Sequence, residues 1–139
     1  MADIKQFLTI KTRPEAVYNA ITTEMGIKNW WTTNCSVKQK VGSIAQFNFT
    51  HKYHDEMKIV DLQPNTLVEW ECLVGNEEWI GTTIKFELEE VESKTVLRFS
   101  HSDWMSQTDF FASCNYNWGF YLHSLKKYLE TGVGEPFRG

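Results

Sequence analysis

From Ser36 to Asp103 apolar and polar positions alternate with period two over several successive stretches, which predicts a run of strands. "GSIAQFNFTH" sets Ala45, Phe47 and Phe49 on one side, and "DEMKIVDLQPN" ends at a Pro-Asn turn. "TLVEWECLVG" sets Val68, Trp70, Cys72 and Val74 against Leu67, Glu69, Glu71 and Leu73. In "EWIGTTIKFELEEVE" one face carries Ile80, Thr82, Ile84, Phe86 and Leu88, and in "KTVLRFSHSDW" one face carries Leu97, Phe99 and His101. Alternation of this kind predicts an antiparallel sheet with a single covered face, joined by short hairpins.

The period changes at both ends of the chain. "DIKQFLTIKT" (3–12) reads as a strand, and "RPEAVYNAITTE" as a helix with Pro14 in its first turn and Val17, Ala20 and Ile21 on its apolar face. Gly26 is expected to break that helix, and "IKNWW" to form a short second one. A closing helix is expected from about Gln107 to Thr131. Phe110, Phe111, Cys114, Trp118, Tyr121, Leu122, Leu125, Tyr128 and Leu129 form its apolar stripe, opposite His123, Lys126 and Glu130. Gly132 stands at the C-cap position, with Lys126 and Lys127 near the negative end. The economical packing is α+β: a curved sheet wrapped around the last helix.

A length of 139 residues fits one domain, 1–139, with a sizeable core. A net charge of −4 argues against nucleic-acid binding, which needs a surplus of Lys and Arg on one face. No segment approaches a membrane span, and "MADIKQFLTIKTRPE" is not expected to be a signal peptide, so the cytoplasm is the expected location. Cys35, Cys72 and Cys114 match neither a disulfide framework nor a metal-ligand spacing. With no Gly-rich phosphate loop and no nucleophile elbow, no cofactor is expected. The unusual figure is an aromatic content of 14%, with six tryptophans.

Four stretches, in register, carry a resemblance to a known family: "RPEAVYNAITTEMGIKNWW", "KIVDLQPNTLVEWE", "TTIKFELEEVESKTVLRFSHSDW" and "NYNWGFYLHSLKKYLETGVGEPF". Together they resemble the START-like (SRPBCC) helix-grip superfamily, and within it domains similar to the C-terminal part of the heat-shock protein 90 ATPase activator. The resemblance implies two short helices after strand 1, then a sheet of six or seven antiparallel strands gripping a long C-terminal helix. A cavity commonly lies between sheet and helix in such proteins. Members bind lipids, sterols, plant hormones or polyketides, and some are cyclases.

The first half of the closing helix concentrates large rings beside the small Ala112, Ser113 and Cys114, whereas its second half uses Leu125 and Leu129. These rings either fill the space under the sheet or line a cavity for a small hydrophobic or amphipathic molecule. On the second reading the ligand-binding candidates are Trp31, Phe49, Trp70, Cys72, Ile84 and Phe86 from the front of the chain. Phe99, His101, Phe110, Cys114, Trp118 and Tyr121 join them from the rear. His101, Tyr121 and the indole N–H groups of Trp70 or Trp118 would orient the guest. His101 shares the inward parity of Phe99, as a hydrogen-bonded core residue or an acid–base group. A cyclase or aromatase is the enzymatic alternative, and it needs inward acid–base groups beyond one His. Tyr116 and Phe120 fall on the far side of the helix and suggest a homodimer or another protein contact, including a chaperone-linked one. "HKYHDE" gathers His51, His54, Asp55 and Glu56, but it reads as a solvated polar turn between strands, not a metal site. Glu69 and Glu71 read as solvent-facing.

Overall fold

A computed structural model describes residues 2–50 and 53–139. Strand β1 (Ala2–Ile10) is followed by helices α1 (Pro14–Thr22) and α2 (Glu24–Trp30). Six strands come next: β2 (Asn34–Ser36), β3 (Ile44–Thr50), β4 (Tyr53–Gln63), β5 (Leu67–Val74), β6 (Thr83–Val91) and β7 (Lys94–Trp104). Helix α3 (Asp109–Thr131) closes the order. All pairings between these strands are antiparallel, in the spatial order β1-β7-β6-β5-β4-β3-β2. This is the helix-grip arrangement that the pattern and the resemblance implied.

The α1–α2 pair carries the chain from one sheet edge to the other, and its corner differs from expectation. The break falls at Thr23, whose hydroxyl accepts from the Gly26 amide at 3.0 Å and caps α2. Gly26 lies inside α2. A Cβ there would sit 2.5 Å from the Ala20 carbonyl oxygen, so glycine serves close approach of the two helices rather than termination. Trp30, fully buried, ties the same corner by donating its indole N–H to that carbonyl at 2.8 Å.

Two strand readings also change. Val74 is 41% exposed, because β5 carries an extra residue between the partners of Glu56 and Met57, and the bulge moves Val74 off the covered face. Ile80 is 53% exposed, because residues 75–82 form a loop closed by Cys72 N→Thr82 O and Gly81 N→Cys72 O bonds, so β6 begins only at Thr83. Thr82 keeps the inward position expected of it.

Helix α3 is capped at its start by Thr108, whose hydroxyl accepts from the Phe111 amide, and at its end by Gly132 in the left-handed conformation (φ 89°). It also guards the β1 edge. Gln6 Nε2 donates to Asn115 Oδ1 at 2.9 Å, Lys126 Nζ to the Thr9 carbonyl at 2.5 Å, and the Lys11 amide to Glu130 at 2.8 Å. Beyond Gly132 the tail turns back: Phe137 N donates to Trp31 O at 2.8 Å, and Thr33 N to Phe137 O at 3.0 Å. Ser124 anchors this return, donating to the Trp30 carbonyl and accepting from the Glu135 amide at 2.8 and 2.7 Å.

Candidate functional site

Between the front half of α3 and the β3–β4 side of the sheet lies a cavity of about 370 Å³. Trp31 forms its inner wall and is an aromatic hub, with ring centroids 4.6 Å from Phe47, 5.2 Å from Phe49 and 5.2 Å from Trp118. Helix α3 contributes Phe110, Cys114, Trp118 and Tyr121, each about one turn from the next on one stripe. Strands β3 and β4 contribute Phe49, Tyr53 and Asp55. The loop after β5 adds Asn76 and Trp79, and the returning tail adds Phe137, 5.9 Å from the Phe49 ring. Exposed Thr50, Tyr53, Ser113 and Asn117 make the rim.

Six of the sequence candidates thus meet around the cavity: Trp31, Phe49, Phe110, Cys114, Trp118 and Tyr121. The other six do not line it. Trp70, Cys72, Ile84, Phe86, Phe99 and His101 are buried behind it as solid core, with Trp70–Phe86 and Phe86–Phe99 ring pairs each 5.2 Å apart. Alternation assigns these residues to the covered face, but depth along the strand decides whether a side chain meets neighbours or open space.

His101 is closed off chemically as well. Its Nδ1 accepts from Trp118 Nε1 at 3.1 Å, and its Nε2 lies 2.7 Å from the Thr82 hydroxyl, which itself donates to the Trp79 carbonyl at 2.5 Å. The ring is therefore the neutral tautomer with its proton on Nε2. Burial depresses its pKa to about 3. The Trp118 indole N–H, spent on His101, is not available to orient a guest. The thiols are equally quiet: burial first, then negative neighbours, pushes Cys35 up to about 11, Cys72 to about 12 and Cys114 to about 11. Cys114 Sγ also accepts from Trp79 Nε1 at 3.3 Å, which pins the loop to the helix.

Asp55 differs from expectation with the largest chemical consequence. The polar segment is not a turn: Tyr53, His54, Asp55 and Glu56 open β4, and Asp55 is only 6% exposed, pointing inward with Met57 and Ile59. His54 turns outward to Asn48 and Glu56, and His51 lies outside the described residues. Among the described residues no group of three or more His, Cys, Asp or Glu could hold a metal ion. Burial raises the Asp55 carboxyl to about 6, against a smaller lowering influence of His54. The signal was present in the sequence: once β4 starts at Tyr53, Asp55 shares parity with Met57 and Ile59. Trp79 and Phe137 had no such signal, since loop and tail positions carry no period. Glu69 and Glu71 lie outside the cavity, with Glu69 3.9 Å from Lys85 across the sheet.

Comparison with known proteins agrees with this architecture. No curated protein sequence matches the chain. Among solved structures it is similar to the Aha1 dimer from Colwellia psychrerythraea, at 44% identity over 96% of this chain and 100% of that one, with a TM-score of 0.88. It shares its fold with a Staphylococcus saprophyticus protein (21% identity, 96% of each chain, TM-score 0.81). It also shares it with CalU16 from Micromonospora echinospora (16% identity, 96% of this chain and 76% of that one, TM-score 0.76). A model of the family described as Activator of Hsp90 ATPase homolog 1-like protein matches residues 11–130, from the end of β1 almost to the end of α3. The helix-grip sheet, the cavity beside α3 and this match lead to one assignment: the chain belongs to the Activator of Hsp90 ATPase homolog 1-like family.

Proposed function

We propose that this protein binds a small, largely apolar molecule non-covalently in the cavity between α3 and the β3–β4 side of the sheet. The observation that carries the proposal is the cavity itself: about 370 Å³, walled by aromatic rings and open at a polar rim. That lies within the size range of small-ligand sites, and its few polar groups suit orientation of a guest. Removing the guest's apolar surface from water would drive binding at roughly 25 cal/mol per Å² before ordering costs. The family's general roles of ligand binding, cyclisation and chaperone activation are all compatible with the fold. The enzymatic alternative now has one inward acid–base candidate on the cavity wall, Asp55, and His101 supplies no second.

The test uses N-phenyl-1-naphthylamine, a neutral apolar fluorophore. Saturable, one-to-one enhancement is expected, lost in Ser113→Trp, which fills the rim from an exposed helix position, and retained in Tyr116→Ala on the opposite face. Absence of saturable binding, or equal binding by Ser113→Trp, would overturn the proposal.

A second reading concerns assembly. Tyr116 and Phe120 on the outer face of α3 are 77% and 46% exposed, and the solved relative from Colwellia psychrerythraea is a dimer. We infer that this chain forms a homodimer through that face. Light scattering should give twice the chain mass, and Tyr116→Lys with Phe120→Ser should halve it. A monomer at every concentration would refute the inference.

A further inference from the structure

Asp55 is an expensive residue to keep where it is. A carboxylate withdrawn from water costs several kcal/mol unless it is paired, yet among the described residues nothing hydrogen-bonds to it or pairs with it. It is not sealed away either: it lines the cavity, and the only described side-chain polar atom both enclosed and without a partner is Trp104 Nε1. Gly75 makes room for it. At φ +151°, that residue has a conformation suited to glycine, and a Cβ there would stand 2.6 Å from Asp55 Oδ1.

Among the described lining residues the only formal charge is negative. No described lining residue is Lys, Arg or His. From its own strand the carboxyl meets the field of His54, whose ring is turned outward and engaged by Asn48 and Glu56. Cys72 on β5 and Cys114 on α3 both lie in the field of Asp55, as neutral thiols. Glu71 acts on the first thiol and Glu78 on the second, adding negative charge from β5 and from the following loop. Tyr53 and Tyr121 complete the titratable wall. Around this negative point stand the rings of Trp31, Trp79 and Trp118, with Trp79 and Trp118 stacked at 6.4 Å; aromatic faces attract cations.

Building on the cavity reading above, we propose that the molecule taken by this site is an organic cation, an apolar body bearing a protonated amine that pairs with the Asp55 carboxylate. The amine supplies the missing partner, and the aromatic walls take the apolar body. Because burial pushes the free carboxyl up to about 6, affinity for the amine should be greatest well above that pH and weaken as pH falls through it.

The experiment compares three probes with one phenylbutyl body and different head groups: 4-phenylbutylamine, 4-phenylbutanol and 5-phenylvaleric acid, titrated calorimetrically into the full chain. The amine is expected to bind about tenfold or more tighter than the alcohol, and the acid weakest. The amine's affinity should fall about tenfold from pH 7.5 to pH 5, while the alcohol's stays constant. Asp55→Asn should erase the preference for the amine over the alcohol. Equal affinities of amine and alcohol, or a preference that survives Asp55→Asn, would overturn the assignment. If N-phenyl-1-naphthylamine still binds in that case, the cavity reading stands and only the cation falls. If neither it nor any of the three probes binds, both fall. The head-group comparison and pH profile use the unaltered protein, so a misfolded variant would not shield the proposal.

Discussion

The indole Nε1 of Trp118 donates to Nδ1 of His101 at 3.1 Å, and this one bond decides what His101 can do. It commits Nδ1 as acceptor, sends the Nε2 proton to Thr82, and through Thr82 holds the Trp79 carbonyl. Helix, sheet and loop are thereby joined through a neutral imidazole. His101→Leu removes the joint, leaving the buried Trp118 indole N–H unpaired and the Thr82 oxygen without the proton it accepts, so it should cost about 2–4 kcal/mol in urea unfolding. The Trp118 indole proton should shift upfield by NMR. A stability change below about 0.5 kcal/mol would contradict the relay.

His101 and Asp55 oppose one another as pH falls. The depressed His101 pKa, about 3 against the ordinary 6.5, means that the unfolded chain binds the extra proton, and stability is lost from about pH 6.5 downward. The raised Asp55 pKa, about 6 against 3.8, means that the folded chain binds the proton first, and stability is gained between about pH 6 and 4. Each effect amounts to roughly 3 kcal/mol across that window, so the two largely cancel. Asp55→Asn should therefore be more stable than the parent at pH 8 and lose stability more steeply between pH 6.5 and 4. Parallel stability–pH curves would show that Asp55 is not desolvated.

Helix propensity alone favours Gly26→Ala by about 1 kcal/mol. The backbone of Ala20, 2.5 Å from the added Cβ, cannot yield as a side chain would, so the sign should reverse. A loss of about 2 kcal/mol or more is expected by thermal or urea unfolding. A stabilised variant would mean that the α1–α2 corner can open.

Ser124→Ala should act at a distance from itself. It orphans the Trp30 carbonyl and the Glu135 amide, costing about 1–3 kcal/mol, and releases the tail that places Phe137 at the cavity mouth. Amide exchange at Glu135 and Phe137 should accelerate well beyond that of β6. Unchanged protection there would assign the anchoring of the tail elsewhere.

Parity made the covered face readable: Ala45, Phe47, Val68, Trp70, Ile84, Phe86, Leu97 and Phe99 are all buried as the alternation required. It failed where a local event resets the count. A bulge in β5 turned Val74 outward, and the loop of residues 75–82 removed Ile80 from β6. For the site, parity says in or out but not how deep, so Phe86 and Phe49 looked equivalent although only Phe49 reaches open space. Asp55 departs from expectation for a different reason. Polarity outweighed parity in a segment of six polar or half-polar residues, although burial of one carboxyl was the informative departure.

The bonds from Gln6, Thr9 and Lys11 to α3 leave a mark on how two copies can meet. A rim whose carbonyl already holds a lysine and whose side chains are committed to a helix offers a poor template for another strand. Splicing two sheets into one continuous ribbon through β1 would first have to strip α3 away. Any meeting of copies on that flank would have to proceed through contacts of side chain on side chain, a geometry that disfavours fibrillar growth there.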